Sequence, residues 1–235
     1  MSLNMNKAYD KLYLSYKKDF EKDSPFNYDY ERPALMKLLD ESLTGKSILD
    51  AGCAGGWYTE RFLELGAEVT SVDLNDNMIK LTKERVCNKA VVVNHDLSKD
   101  LPFEDDKFDI VVSSLTLHYL EDLDLVFSEF KRVLKSNGIL LFSTHHPFVD
   151  MMDLNDKSYF EKTLIEDEWI KFGEKIKVQF YHRSLQDIIN ITTKYFSITS
   201  LVEPRPEASF KEKDPNNYNR LMLNPNFLII KASNN

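Results

Sequence analysis

The sequence predicts an α/β fold with a doubly wound, mostly parallel sheet. Short apolar runs alternate along the chain with segments of helical periodicity, which is the pattern of βαβ units. An apolar run at 46–50 leads into small residues at 51–56 and then into an amphipathic segment, as in a strand that turns sharply into a helix. The 235 residues suit one domain with additions.

The composition restricts the class of protein and its partners. Hydrophobic residues make up 43% of the chain and charged residues 29%, as in soluble globular proteins. No apolar run approaches the roughly 20 residues of a membrane span, and the two cysteines suggest free thiols, so we expect a cytoplasmic protein. A formal charge of −8 argues against nucleic acid as the main partner, because such binding needs an excess of cations. The oligomeric state stays open.

Residues 1–45 are predicted to form a helical cover. Tyr9, Tyr13, Tyr16 and Phe20 are spaced by four, three and four residues, so they share one helix face. This face either docks on the core or forms a lid over a pocket. Pro33 is predicted to open a second helix, whose apolar stripe reaches Leu43 and which Gly45 ends.

The core is predicted to occupy residues 46–145. Its strands are expected at 46–50, 68–73, 90–94, 110–114 and 139–143, with helices between them. Gly66 ends the first of these helices, and Asn75 is a candidate N-cap of the second. Since open α/β sheets bind ligands beyond the carboxyl ends of their strands, we expect the chemistry at residues 144–148, at the end of the fifth strand.

The remaining chain is predicted to complete the same domain. Residues 146–183 form an insertion with a strand pair around Gly173, which we expect to shape an acceptor pocket. Residues 184–235 begin with the capping-box pattern of Ser184 and Asp187 at the start of a helix. Two closing strands at 196–202 and 226–231 are separated by a polar loop, which its prolines predict to be irregular.

The glycine turn at 52–56 has several interpretations. Gly52, Gly55 and Gly56 give a G-x-x-G-G pattern, which fits the G-x-G-x-x-G fingerprint of dinucleotide-binding folds poorly. An ordinary strand-to-helix turn is a second interpretation. Asp73, at the end of the second strand, favours a nucleoside ligand, because a carboxylate there can accept both hydroxyls of a ribose.

The same turn resembles the D-x-G-x-G-x-G loop of class I S-adenosylmethionine-dependent methyltransferases, with Ala54 in place of the middle glycine. Residues 101–109 resemble the family's LPF-x-D-x-x-FD connection, and residues 115–120 resemble its LxLHHL stretch. The likeness covers 46–145 without a gap. Within this family, the sequence is similar to the group that includes quinone-biosynthesis C-methyltransferases and small-molecule O- and N-methyltransferases. The resemblance implies seven strands, the last antiparallel to the others, in a Rossmann-like methyltransferase fold.

The resemblance also implies the cofactor and its site. The cofactor would be S-adenosyl-L-methionine, leaving as S-adenosyl-L-homocysteine (SAH), and the acceptor an unidentified small molecule that attacks the methyl group in line. The implied cofactor-binding residues are Tyr16, Asp50, Gly52, Cys53, Ala54, Gly56, Asp73, Leu74, Met78, Asp96, Leu97, Ser113, Ser114 and Leu115.

The histidines are the candidate general bases. We expect His146, at the end of the fifth strand, and His118 to be the catalytic candidates ahead of His145 and His182. No cluster of His, Cys, Asp and Glu has metal-ligand spacing, so the sequence predicts metal independence. An NAD-dependent oxidoreductase, and a protein that binds the adenosyl cofactor without turnover, stay open as alternatives.

Overall fold

The computed structural model describes residues 3–17, 24–151, 154, 157–171 and 174–235. Among these residues nine strands are formed. They are β1 (Ser47–Ala51), β2 (Glu68–Asp73), β3 (Val91–Asn94), β4 (Phe108–Ser113), β5 (Leu134–His145), β6 (Thr163–Lys171), β7 (Glu174–His182), β8 (Ser197–Val202) and β9 (Phe227–Ser233).

The helices lie between and around these strands. They are α1 (Leu3–Lys17), α2 (Arg32–Met36), α3 (Trp57–Glu64), α4 (Asp76–Arg85), α5 (Asp124–Val133), α6 (Pro147–Asp150), α7 (Leu185–Tyr195), α8 (Ala208–Lys213) and α9 (Pro215–Leu221). A π-helical segment, Asn27–Glu31, leads directly into α2. Within the described ranges, no helix has the length and apolar character needed to cross a membrane.

Seven strands form the main sheet in the order β3-β2-β1-β4-β5-β9-β8. Strands β1 to β5 pair in parallel, and β9 runs antiparallel to both β5 and β8. The seven-stranded, doubly wound fold with an antiparallel last strand is therefore confirmed. The strand order reverses between β1 and β4, and a ligand cleft is expected at the carboxyl ends of strands at such a switch point.

Alternating side chains of the central strands build a core on each face of the sheet. Leu49 and Val111 pack with α5 and α7, whereas Ile48 and Val112 pack with α3. All four side chains are buried, which explains why these strands read as continuous apolar runs. The two apolar layers fix the sheet, and the turns at its carboxyl edge are free to carry function.

Two sequence-based expectations about helices are wrong. The helix containing Pro33 begins upstream in the π-helical segment and ends at Met36, because the next amides form three-residue turns to Leu35 and Met36. The segment between β8 and β9 is not irregular, since it forms α8 and α9. Pro215 occupies the first position of α9, where a proline costs no hydrogen bond, and Asp214 caps that helix. Phe20 and Gly173 lie outside the described residues.

Candidate active site

A cavity of about 730 Å³ lies at the carboxyl edge of the sheet. Its wall on the sheet side comes from residues at the carboxyl ends of β1, β2, β3, β4 and β5. Its opposite wall comes from α1 and from the β6–β7 hairpin, which contributes Trp169 and Phe180. The volume falls within the roughly 300–1,000 Å³ that small-molecule sites occupy.

The turn after β1 has backbone angles and close contacts that favour small residues. Gly52 and Gly56 adopt φ values of 91° and 77°, in the left-handed region that glycine tolerates best. A Cβ on Gly52 would lie 2.3 Å from Oγ1 of Thr116, so this position has no room for a side chain. Ala54 also has a positive φ, 44°, and the replacement of the family's middle glycine therefore keeps the shape of the turn.

Asp73 joins the turns after β1 and β2. Its carboxylate accepts hydrogen bonds from the amides of Ala54 and Asn75, each at 2.9 Å. Burial raises the pKa of Asp73, and these backbone bonds oppose the shift. A carboxylate offers about four acceptor positions, so these bonds leave capacity to accept from a ribose hydroxyl in the cavity.

Asp96 and Leu97 line the cavity beside Leu74. Asp96 accepts from the amide and the hydroxyl of Ser98, and these bonds lower its pKa against the opposing effect of burial. An ionised carboxylate here can accept from an exocyclic amino group. The set fits a nucleoside, with a ribose at Asp73 and a purine edge at Asp96.

The structure brings most of the expected cofactor residues together. Those that line the cavity are Tyr16, Gly52, Cys53, Ala54, Asp73, Leu74, Asp96, Leu97, Ser114 and Leu115. Asp50, Gly56, Met78 and Ser113 lie behind this wall. Asp50 accepts from Thr59 Oγ1 at 2.6 Å, and burial raises its pKa to about 7. These four residues are therefore placed to support the turns from behind.

Glu31 and Arg32 are among the residues of the cavity wall that were not expected from the sequence. Glu31 is buried and accepts from the hydroxyls of Ser143 at 2.5 Å, Tyr58 at 2.8 Å and Ser114 at 2.9 Å. Burial raises the pKa of Glu31, while these hydroxyls oppose the shift. Arg32 places its guanidinium 4.4 Å from the ring centre of Trp57, a cation–π contact.

The histidines occupy different places from those expected. His146 is buried outside the cavity wall, with Nε2 2.9 Å from Glu203 and Nδ1 accepting from the amide of Phe148. His118 and His145 line the cavity and stack on each other, with ring centres 4.0 Å apart. The position of His146 therefore gives no support to the catalytic role expected for it. His118 and His145 lie in the cavity wall, where either could contact a bound acceptor.

The cover is fastened to the core by polar and apolar contacts. Asn75 Nδ2 donates to Asn6 Oδ1 at 2.7 Å and to Asp10 Oδ1 at 2.8 Å, which ties α1 to the end of β2. Ala8 and Leu12 pack with buried residues of the hairpin, and Tyr9 contacts Tyr119 edge to face. An aromatic and aliphatic cover thus forms one side of the cavity.

Comparison with known proteins agrees with this geometry. Residues 49–142 match the family model described as a methyltransferase domain. A Listeria monocytogenes chain assigned to the S-adenosylmethionine-dependent methyltransferases superposes with a TM-score of 0.75 at 28% identity, over 86% of this chain and 96% of that one. A Mesorhizobium loti S-adenosylmethionine-dependent methyltransferase gives 0.69 at 25% identity, over 86% and 97%.

Among curated relatives, a malonyl-[acyl-carrier protein] O-methyltransferase from Hamiltonella defensa is 31% identical over 64% of this chain and 52% of its own. This chain therefore spans about half the length of that relative. An uncharacterised Haemophilus influenzae protein is 28% identical over 97% of both chains.

Proposed function

Since this chain is a class I S-adenosylmethionine-dependent methyltransferase, we propose that it methylates a small molecule held between the cofactor turns and the cover of α1 and the β6–β7 hairpin. The observation that carries the proposal is the shared cavity. Cofactor residues form one wall and aromatic residues of the cover form the other. Both reactants would then be enclosed together, as in-line transfer requires.

The protein's contribution would be mainly alignment and the exclusion of water. When bound, S-adenosylmethionine supplies an activated methyl group on a sulfonium. Asp73 and Asp96 would hold its nucleoside, and the left-handed turn at Gly52 lets the backbone approach it. Holding the two reactants in line can supply roughly 7–11 kcal/mol of the barrier reduction. We assign residues 146–183, which include the hairpin, to the acceptor side.

The charge of the cavity wall supports one class of acceptor over another. Among the described residues that line the cavity, six carry carboxylates and Arg32 alone carries a permanent positive charge; the six are Glu31, Asp73, Asp96, Asp150, Asp167 and Glu168. A malonyl carboxylate, the acceptor named for the curated relative, would meet this negative field with one cation to pair it. We therefore favour an acceptor that is uncharged when it binds.

The test is SAH formation from S-adenosylmethionine in the presence of an acceptor panel. The panel contains phenols, amines, carboxylates and, as a separate arm, malonyl-acyl carrier protein. We expect turnover with a small uncharged acceptor and none with the carrier protein. Binding of SAH without turnover on any acceptor would contradict the proposal and favour a cofactor-binding protein. Binding of NADH in place of SAH would also overturn it.

A further inference from the structure

His145, Asp150 and His182 form a chain of polar side chains that runs inward from the cavity wall. Nδ1 of His145 lies 3.6 Å from Oδ1 of Asp150, and Oδ2 of Asp150 lies 3.3 Å from Nδ1 of His182. Nε2 of His182 lies 2.9 Å from the carbonyl of Tyr159. His145 and Asp150 line the cavity, while His182 is fully buried behind them.

The neighbours of His182 decide its protonation. Both of its ring nitrogens face acceptors, so both carry hydrogens. Burial opposes the charge, but the bonds to Asp150 and Tyr159 raise the pKa of His182. Burial also opposes ionisation of Asp150, and the two histidines lower its pKa. Both effects favour an ionised Asp150 beside a protonated His182.

This anion favours one tautomer of His145. Nδ1 of His145 lies 3.6 Å from Oδ1 of Asp150, an oxygen that has no hydrogen-bond partner among the described residues, so a hydrogen on Nδ1 would be directed at the anion and the lone pair would be on Nε2. Nε2 has no hydrogen-bond partner among the described residues, and the ring belongs to the cavity wall. Within the described part of the chain, no three His, Cys, Asp or Glu side chains are placed to hold a metal ion.

His118 also lines the cavity, but its Nδ1 lies 3.5 Å from the hydroxyl of Thr144 and not beside a carboxylate, so no anion among the described residues is placed to stabilise its imidazolium. His118 stacks on His145, and burial lowers the pKa of His118 far enough to keep that ring neutral. Phe180 lies edge-on at 4.7 Å, and Phe227 is tilted at 6.5 Å. Arg183 adds a positive charge near His118, with its guanidinium donating to the carbonyl of Glu121 at 2.8 Å.

We propose that His145 is the general base of the reaction, that Asp150 and His182 position it, and that the acceptor is a neutral phenolic or enolic hydroxyl. The inference rests on the proposed function and deepens it. The hydroxyl oxygen bonds to the methyl carbon as the carbon–sulfur bond breaks. The electron pair of that bond stays on the sulfur of SAH, and the hydroxyl proton passes to Nε2 of His145. Asp150 stabilises the resulting imidazolium, which releases its proton to water.

The choice of a hydroxyl follows from what the other acceptors need. A carboxylate is already ionised and needs no base. A neutral amine attacks with its lone pair and can lose its proton after the transfer. A neutral hydroxyl becomes an oxonium unless a base removes its proton during the transfer. Of the three classes of acceptor, the neutral hydroxyl is therefore the one that needs an oriented imidazole as a base.

The first test compares two phenols in His145→Gln. SAH formation is measured at pH 8 with 4-nitrophenol, which is largely ionised, and with 4-methoxyphenol, which is not. We expect His145→Gln to lose about 10²–10⁴-fold in rate with 4-methoxyphenol and far less with 4-nitrophenol, while its Kd for SAH by calorimetry stays unchanged. Equal losses with both phenols, or an equal loss in His146→Gln, would overturn the base assignment.

Transfer confined to benzylamine, benzoate or malonyl-acyl carrier protein would overturn this inference and leave methyl transfer itself standing. Absence of transfer to every acceptor would overturn the proposed function.

The second test needs no acceptor. In protein labelled with ¹⁵N-histidine and saturated with SAH, we expect His145 to show the tautomer with hydrogen on Nδ1, and Asp150→Ala to lose that preference. Hydrogen on Nε2 of His145 in the unmutated protein would overturn the proposal.

Discussion

At the scale of single residues, the carboxylate of Asp73 is the group that we expect to accept hydrogen bonds from the ribose of the cofactor. We expect Asp73→Asn to weaken SAH binding about 10- to 150-fold, because a hydrogen bond to a charged group contributes about 1.5–3 kcal/mol. Isothermal titration calorimetry measures the change. Asp76→Asn is the matched control, since Asp76 is exposed and binds Asn94 outside the cavity. Equal affinities in the two variants would contradict a ribose site at Asp73.

Substitution of Gly52 can show whether the turn after β1 excludes a side chain for lack of space or only because of its positive φ. Gly52→Ala adds a strained φ and a Cβ 2.3 Å from Thr116, whereas Gly45→Ala adds strain alone, with φ +74° and no atom within 4 Å. We expect Gly45→Ala to cost about 1 kcal/mol and Gly52→Ala about 1–3 kcal/mol more in urea unfolding. Similar losses would mean that Thr116 moves aside freely.

The expected cofactor residues that line the cavity are those placed by local geometry. Gly52, Asp73 and Asp96 each follow a strand that the apolar pattern locates, so their meeting at one edge could be inferred. Glu31 could not be inferred, because it reaches Ser114 and Ser143 from 83 and 112 residues away through tertiary packing. Sequence alone also could not choose between adjacent histidines, of which His145 lines the cavity and His146 does not.

At the scale of elements, a carboxylate lies near each end of β1, Asp50 from β1 itself and Asp109 from β4, and the pKa shifts of the two are opposite. Burial raises the pKa of Asp50 to about 7. The native protein therefore keeps a proton that the unfolded chain loses above about pH 4, and the free energy of unfolding falls as the pH rises from about 4 to 7. We expect Asp50→Asn, which still accepts from Thr59, to remove up to about 4 kcal/mol of this fall.

Asp109 provides the comparison of opposite sign. Burial opposes its ionisation, but Lys135 and Ser47, at the start of β1, lower its pKa to about 2. Its stabilisation is present above the unfolded pKa near 4 and is lost as the pH falls towards 2. We expect Asp109→Asn to be less stable than the unmutated protein at pH 7, with the difference shrinking below about pH 4. Urea unfolding at pH 3–8 checks both variants, and parallel pH profiles would contradict the assignment.

The side-chain amide of Asn75 contacts two helices, α4 through its oxygen and α1 through its nitrogen. Asn75 Oδ1 caps α4 by accepting from Met78, while Nδ2 donates to Asp10 and Asn6. We expect Asn75→Asp to keep the cap but repel Asp10, so that amide exchange in α1 becomes faster and exchange in α4 does not. Asn75→Ala should speed exchange in both helices. Hydrogen–deuterium exchange distinguishes them, and unchanged exchange of α1 in Asn75→Asp would show that apolar packing alone holds the cover.

At the scale of the whole molecule, the core was predictable and the cover less so. Five parallel strands with helices between them follow from apolar runs buried on both faces, because such strands need helices to cover the sheet. The helices α8 and α9 were missed because prolines and polar residues read as a loop, whereas Asp214 and Pro215 are a cap and a first-turn residue. The hairpin was expected from its aromatic strands, but its contact with α1 is a tertiary feature.

The shared cavity predicts that one ligand stabilises three parts of the chain at once. SAH at about 100 times its Kd should add roughly 2.7 kcal/mol to the free energy of unfolding. Because α1, the core turns and the β6–β7 hairpin all line the cavity, we expect SAH to slow amide exchange in all three, as measured by hydrogen–deuterium exchange. NADH at the same concentration is the control. Protection limited to the turns after β1 and β2 would contradict this expectation. It would mean that SAH alone does not order α1 and the hairpin, and that these parts close only when the acceptor is bound.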